Sequence, residues 1–211
     1  MMLVKYPRTP HLPWSQGTTD DDKVLKNCTC FQGKEVIITE KMDGENSTLY
    51  YDGKTHARSL DSKNHLSLDW LKSFWAERCF TLGENMRICG ENLFAQHSIL
   101  YSDLESYFLG FSVWENNACL SWDDSLTWFK RLNIIPVREL YRGIFSDKAI
   151  SKLPIAPGTE GYVVRLVSSF ELSDFHKSVA KNVRKNHVQT DEHWMAKSII
   201  RNGLKDQKGS I

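Results

Sequence analysis

Glu35-Val36-Ile37-Ile38-Thr39-Glu40-Lys41-Met42-Asp43-Gly44 is the stretch on which the reading of the chain turns. Its first five residues are rich in β-branched side chains and predict a strand. Asp43-Gly44 then gives a turn signal. A lysine amine at a strand end beside such a turn can project into a cleft between sheets. Desolvation or neighbouring cations lower the pKa of such an amine and turn it into a covalent nucleophile. Taken alone, Lys-x-Asp-Gly is a weak signal, and a loop lysine beside a turn explains it better.

Working outward, Ser47 to Tyr51 reads as a second strand, and Asp52-Gly53 as a hairpin turn into a third over Thr55 to Arg58. The first 22 residues hold three prolines and end on Asp20-Asp21-Asp22, which predicts an extended arm. Leu68, Leu71, Trp75 and Cys79 recur at helical spacing, as do Leu126, Phe129 and Leu132 after the capping candidates Asp123 and Asp124. Between these helices lie β-like runs at Met86 to Cys89, Tyr107 to Trp114 and Ala118 to Trp122, the last two joined at Asn116-Asn117. Glu160 to Val167 and Ser178 to Val183 are also strand-like. His193 to Arg201 reads as a short helix, and 202–211 as a polar tail. The pattern predicts an α+β fold of antiparallel sheets with helices on their outer faces. Neither a βαβ dinucleotide fingerprint nor a GxxxxGK[ST] loop occurs, so any nucleotide must be held in another way.

Composition narrows the partners. The 211 residues suit one compact domain, with 41% hydrophobic and 25% charged residues. Twenty-seven Lys and Arg against 26 Asp and Glu leave a net charge of +1, which excludes holding nucleic acid by bulk charge alone. No apolar run approaches the ~20 residues of a membrane span, and the start lacks a signal-peptide core, so a cytoplasmic protein without a membrane partner is expected. Five cysteines without a CxxC pair fit reduced thiols better than a disulfide framework or a zinc site.

Further chemistry-bearing residues follow Lys41 in order. They are Arg58, Glu91 after Gly90, Phe111 in an aromatic strand, Glu160-Gly161 opening a strand that ends at Arg165, and Lys181 in a basic run. Each has a bland reading. Phe111 by itself is a core aromatic, Glu91 and Glu160 are surface carboxylates, and the basic run is a solvated face. The seven histidines show no metal spacing; His11, in the arm, is a candidate for contact with phosphate or RNA.

This order resembles the covalent nucleotidyltransferase superfamily of polynucleotide ligases and mRNA capping enzymes, and most closely a stand-alone ATP-dependent RNA ligase. Lys41 to Gly44 is similar to motif I, Arg58 to the arginine of motif Ia, and Glu91 to motif III. Phe111 is similar to motif IIIa, Glu160-Gly161 to motif IV and Lys181 to motif V. The likeness takes in the arm from Tyr6 to Trp14 and the tract from Asn186 to Trp194.

The resemblance implies one nucleotidyltransferase domain (an ATP-grasp-like ligase adenylation domain) over residues 1–211, without an OB-fold domain. It implies ATP and Mg²⁺ or Mn²⁺ as cofactors, and RNA bearing 5′-phosphate and 3′-hydroxyl ends as substrate. An end-healing or RNA-delivering protein is an expected partner, and RNA repair the expected setting. By the same resemblance Lys41 becomes lysyl–AMP, with Lys181 and Arg165 as catalytic cations around the phosphate. Glu40, Asn46, Arg58, Glu91, Phe111 and Lys181 hold the nucleotide. Phe111 stacks on the base, Glu91 accepts from a ribose hydroxyl, Asn46 makes a ribose or RNA contact, and Glu160 holds the metal. The cations would also disfavour protonated Lys41. The chain departs from the family at Arg165, where a lysine is usual, and at Val183, where motif V carries a second lysine that Arg184 or Lys185 would replace. A capping-type guanylyltransferase or DNA ligase with the same lysine chemistry, and a catalytically silent RNA-binding module, are the competing readings.

Overall fold

The computed structural model describes residues 3–60, 66–185 and 200–205. Two antiparallel sheets face each other across a cleft. The first has strand order β11-β9-β1-β8, with β1 at Glu35–Lys41, β8 at Glu139–Ile144, β9 at Gly161–Leu166 and β11 at Val179–Val183. The second runs β10-β6-β5-β4-β2-β3 and consists of β2 (Glu45–Tyr50), β3 (Thr55–Ala57), β4 (Met86–Asn92), β5 (Phe108–Glu115), β6 (Ala118–Cys119) and β10 (Phe170–Glu171). β7 (Ile135–Pro136) joins β5 as a parallel pair. The predicted α+β class and antiparallel sheets are therefore observed.

Alternation along each strand decides what faces the cleft. In β1, Val36 and Ile38 pack with Leu12, Phe31, Tyr162 and Val164 on the outer side. Ile37 points the other way and packs with Met42, Leu93 and Leu109. The two longest helices cover the outer face of the second sheet. Leu68, Leu71 and Trp75 of α1 (Leu66–Ala76) and Phe129 of α2 (Trp122–Arg131) pack on Leu49, Ile88, Phe108 and Val113. Trp75 Nε1 donates to Tyr50 O at 2.7 Å, which ties α1 to β2.

Several boundaries move. β1 and β4 run on through Lys41 and Glu91, because both chains stay paired with neighbours beyond their apolar runs. Trp122 opens α2 rather than ending a strand, and the cap is Ser121, whose Oγ accepts Asp124 N–H at 3.1 Å. Asp123 and Asp124 sit in the first turn, where the helix dipole favours acids. β8 has no counterpart in the sequence reading, since it is an exposed edge strand without apolar alternation. The predicted helix over 193–201 lies mostly outside the described residues, but Arg201 itself is extended and bridges Ala95. The start of the polar tail is packed: Asn202 is buried, its Oδ1 accepts Tyr101 N–H, and its Nδ2 donates to Leu93 O. No helix among the described residues is long and apolar enough to cross a membrane.

Candidate active site

Strand register assembles the site. Lys41 at the end of β1 stands opposite Gly161 in β9, and Gly161 is opposite Val183 in β11. A Cβ at Gly161 would overlap the Asn182 carbonyl oxygen, so β9 and β11 close up here only around glycine. Gly44 is equally constrained, because a Cβ there would meet Asn92 O and Leu93 Cδ2, each at 2.7 Å. A cleft of about 630 Å³, lined from both sheets, opens beside Lys41 and Gly44.

Lys41 Nζ donates to Glu160 Oε2 at 2.5 Å, with the two side chains 22% and 8% exposed. Burial alone would lower the lysine's pKa, yet Glu160, Glu91 and Asp43 outweigh it and hold Lys41 above its ordinary value. The expected depression by surrounding cations is therefore reversed: carboxylates dominate the field at Lys41, and the amine rests as an ammonium. Asp43 holds the site's backbone. Its Oδ2 accepts the N–H groups of Ser98 and Ile99 at 2.8 and 2.7 Å, and its own N–H donates to Tyr101 Oη at 2.9 Å.

Glu91, paired with Asn46 across β4 and β2, faces the cleft. Burial pushes its carboxyl up to about 8, with Lys41 opposing and Glu160 and Asp43 reinforcing. Asn46 Oδ1 and Glu45 Oε2 are buried acceptors with no hydrogen-bond partner. Asn46 stands beside Glu91 at the cleft, so its unmet acceptor marks where a ligand's donor would be satisfied. Farther along, Phe111 is met edge-on by Tyr6 of the arm, with ring centroids 5.3 Å apart. Tyr6 also stands edge-on to Phe175 and Trp114.

The remaining expected residues divide. Lys181 lines the cleft, and burial together with Lys41 lowers its pKa against the opposing pull of Asp22 and Glu160. Arg58 is exposed at the cleft rim at the end of β3. Glu40 borders the cleft but is paired with Arg138 at 3.1 Å. Arg165 lines the cleft, but its guanidinium is engaged with backbone carbonyls. Nε donates to Leu166 O at 3.1 Å, Nη1 to Phe111 O at 3.3 Å and Nη2 to Leu120 O at 2.8 Å. With its guanidinium carbon 5.5 Å from the ring centres of Trp122 and of Phe170, it fastens the backbone of β5 to β9. Arg184 is likewise engaged, donating through Nε to Thr159 O at 2.7 Å. The tract 186–194 lies outside the described residues. Sequence reading took Tyr6 only as part of the arm and gave no role to it or to Asp22, which stands beside Lys181, since neither carries a local signal beyond its place in a Pro-rich or acidic run.

Among the described residues no three His, Cys, Asp or Glu side chains group as a metal cage. Buried Glu160 fits a hard cation of the kind that uses one or two carboxylates and completes its shell with phosphate oxygens and water.

Residues 34–183 match the family described as RNA ligase. Solved structures of a Naegleria gruberi RNA ligase share the fold. A variant without nucleotide superposes with a TM-score of 0.57 at 16% identity, over 86% of this chain and 59% of that one. A variant with ATP and Mn gives 0.56 at 14% identity, over 89% and 59%, and a variant with AMP and Mn gives 0.54 at 17% identity, over 74% and 52%. The chain thus spans a little over half the length of these proteins. No curated protein matches it.

Proposed function

The chain belongs to the RNA ligase family, and from that premise we propose that it is an ATP-dependent RNA ligase working through a lysyl–AMP on Lys41. The observation that carries this reading is the Lys41–Glu160 contact, in a cleft that also presents Lys181, Glu91, the unsatisfied Asn46 Oδ1 and the aromatic Phe111. The solved Naegleria structures with ATP or AMP and Mn support the same nucleotide and a divalent metal here.

In this reading Phe111 stacks on adenine, Asn46 and Glu91 meet the ribose, and Lys181 faces the phosphates. Lys41 Nζ attacks the α-phosphorus, forming a P–N bond as the bond to the bridging oxygen breaks and pyrophosphate leaves. The amine must first lose its proton to solvent in the cleft, because the ammonium has no free electron pair. Glu160 would hold Mg²⁺ or Mn²⁺, which supplies charge neutralisation to the phosphates. Glu160 would then serve both Lys41 and the metal, and any turn toward the metal would take from the ammonium the partner that favours its charge. AMP then passes to an RNA 5′-phosphate, and an RNA 3′-hydroxyl displaces it.

Radiolabelled ATP or GTP with Mg²⁺, followed by a denaturing gel, tests the reading. A covalent band from ATP that vanishes in Lys41→Arg is expected. A band from GTP alone would point to capping chemistry, and no band from either to a silent module. For the second half, preadenylated enzyme should seal a bridged nick with RNA at the 3′ side better than one with DNA, whose missing 2′-hydroxyl removes a contact. Equal sealing of the two would overturn the assignment to RNA. Bridged ends should also outrun free ends, because alignment removes much of the entropic barrier.

A further inference from the structure

The N-terminal arm precedes the segment that matches the family, which begins at residue 34. It nevertheless builds one flank of the cleft. The arm runs along the open edge of β11: Lys181 N–H donates to Pro10 O at 2.9 Å and Leu12 N–H to Lys181 O at 2.8 Å. Farther on, Gly17 N–H reaches Val183 O at 2.9 Å, and Ser15 Oγ accepts Val183 N–H at 2.9 Å. The chain then doubles back, with Leu25 N–H donating to His11 O at 2.8 Å and His11 N–H to Lys23 O at 2.7 Å.

This reversal delivers one carboxylate to the motif V lysine. Asp22 Oδ1 stands 3.6 Å from Lys181 Nζ and 3.4 Å from His11 Nε2. Its other oxygen accepts from Thr19 twice, from N–H at 3.1 Å and from Oγ1 at 2.9 Å. His11 is buried, and its Nδ1 shares a hydrogen bond with Ser15 Oγ at 2.7 Å. Burial and the field of Lys181 lower the histidine's pKa to about 4, so at neutral pH it carries no charge. The Asp22 charge is therefore matched by Lys181. Lys181 is only 18% exposed and shares the cleft with the Lys41 ammonium, which repels it. A lysine chain has four rotatable bonds and three donors without a fixed fork, so its position depends on what holds it.

We propose that Asp22 is a positioning residue, which holds Lys181 charged and beside Lys41 so that its ammonium meets the nucleotide's phosphates. This inference rests on the lysyl–AMP reading. It adds to that reading a residue from outside the matched family segment and gives the arm a task at the nucleotide end of the site.

The test is a double-mutant cycle of Asp22→Asn and Lys181→Ala in the full chain. Two quantities are read: calorimetric affinity for ATP without metal, and single-turnover formation of lysyl–AMP over a range of ATP concentrations. Asp22→Asn keeps the side-chain shape, removes the charge and turns one acceptor oxygen into an NH2 donor. It should weaken ATP binding about tenfold, the scale on which one charge-assisted contact operates. KM for ATP should rise more than the rate at saturating ATP falls. In the Lys181→Ala background the same change should do almost nothing. Thr19→Val, which removes one of the two hydrogen bonds to Asp22 Oδ2 and leaves its charge, should raise KM in the same direction through Lys181. That second variant decides the matter if Asp22→Asn lowers the melting temperature. Additive losses in the cycle, or parental affinity and KM in Asp22→Asn, would overturn the proposal while the lysyl–AMP reading stood. Absence of lysyl–AMP in the parent would instead defeat the underlying reading.

Discussion

Lys41 and Glu160 are separated by 119 positions in the chain and by 2.5 Å between Nζ and Oε2. The β1–β9 register that sets Lys41 opposite Gly161 creates the contact. The resting site is therefore an ion pair, in which the amine that the proposed chemistry needs as a nucleophile is held as an ammonium by the carboxylate proposed for the metal.

Replacing Glu160 by Gln should release that hold. Removing the carboxylate lowers the Lys41 pKa, so a larger fraction of the amine is free at mildly alkaline pH. Acetylation of Lys41 in metal-free protein, followed by mass spectrometry, should quicken relative to the parent at the same pH. Adenylation with Mg²⁺ should nevertheless fall, because the hard oxygen ligand is gone. Because the amide leaves a largely buried ammonium short of one partner, stability should drop by roughly 1–3 kcal/mol. Unchanged acetylation would show that Glu160 does not govern the amine.

Glu91 offers a test by pH. Its carboxyl is raised from 4.5 to about 8, chiefly by burial. The folded state therefore binds a proton that the unfolded state has already lost between those two values. The stability from this protonated carboxyl is fully present below about pH 4.5 and is lost as the pH rises through about 8. Glu91→Gln cannot titrate, so the parent should lose stability relative to it across that window, by up to ~1.4 kcal/mol per pH unit. Parallel denaturation curves of the two proteins at both ends of the window would contradict the assignment.

Arg165→Lys restores the residue usual in the family, yet it should weaken the protein. One ammonium cannot replace three nitrogens directed at the carbonyls of Leu166, Phe111 and Leu120. A loss of roughly 1–3 kcal/mol is expected from the carbonyls left unpaired. ATP affinity should fall or hold, since Phe111 is anchored through that contact. A variant as stable as the parent and tighter for ATP would return Arg165 to the phosphate shell.

Tyr6 should couple the arm to the base end of the cleft. Its ring stands edge-on to Phe111, Trp114 and Phe175, so Tyr6→Ala removes aromatic contacts worth about 0.5–1.5 kcal/mol per pair. Melting temperature should fall and KM for ATP should rise, whereas Tyr6→Phe should retain most of both. If Tyr6→Ala lowers stability and leaves KM at the parental value, the arm is only packing at that point.

The sequence by itself determined whatever depends on neighbours along the chain. The β-branched run of β1, the Asp52-Gly53 turn and the helical spacing of Leu68, Leu71 and Trp75 are local preferences, and each appears in the fold. The order of Lys41, Glu91, Phe111, Glu160 and Lys181 likewise pointed to one cleft, and all but Glu160 line it, Glu160 reaching it through Lys41. Only tertiary structure decided the direction and charge environment of those side chains. Arg165 and Lys181 both read as cations near phosphate, yet Arg165 is spent on backbone carbonyls and Lys181 is held by Asp22. The sign of the field at Lys41 was reversed for the same reason. Local propensities act between residues a few positions apart, whereas electrostatic fields and burial sum over everything within several ångströms in space. β8 and Asn202 show that limit in the backbone too, as an exposed edge strand and a polar tail residue acquire their places only from the strands and loops that receive them.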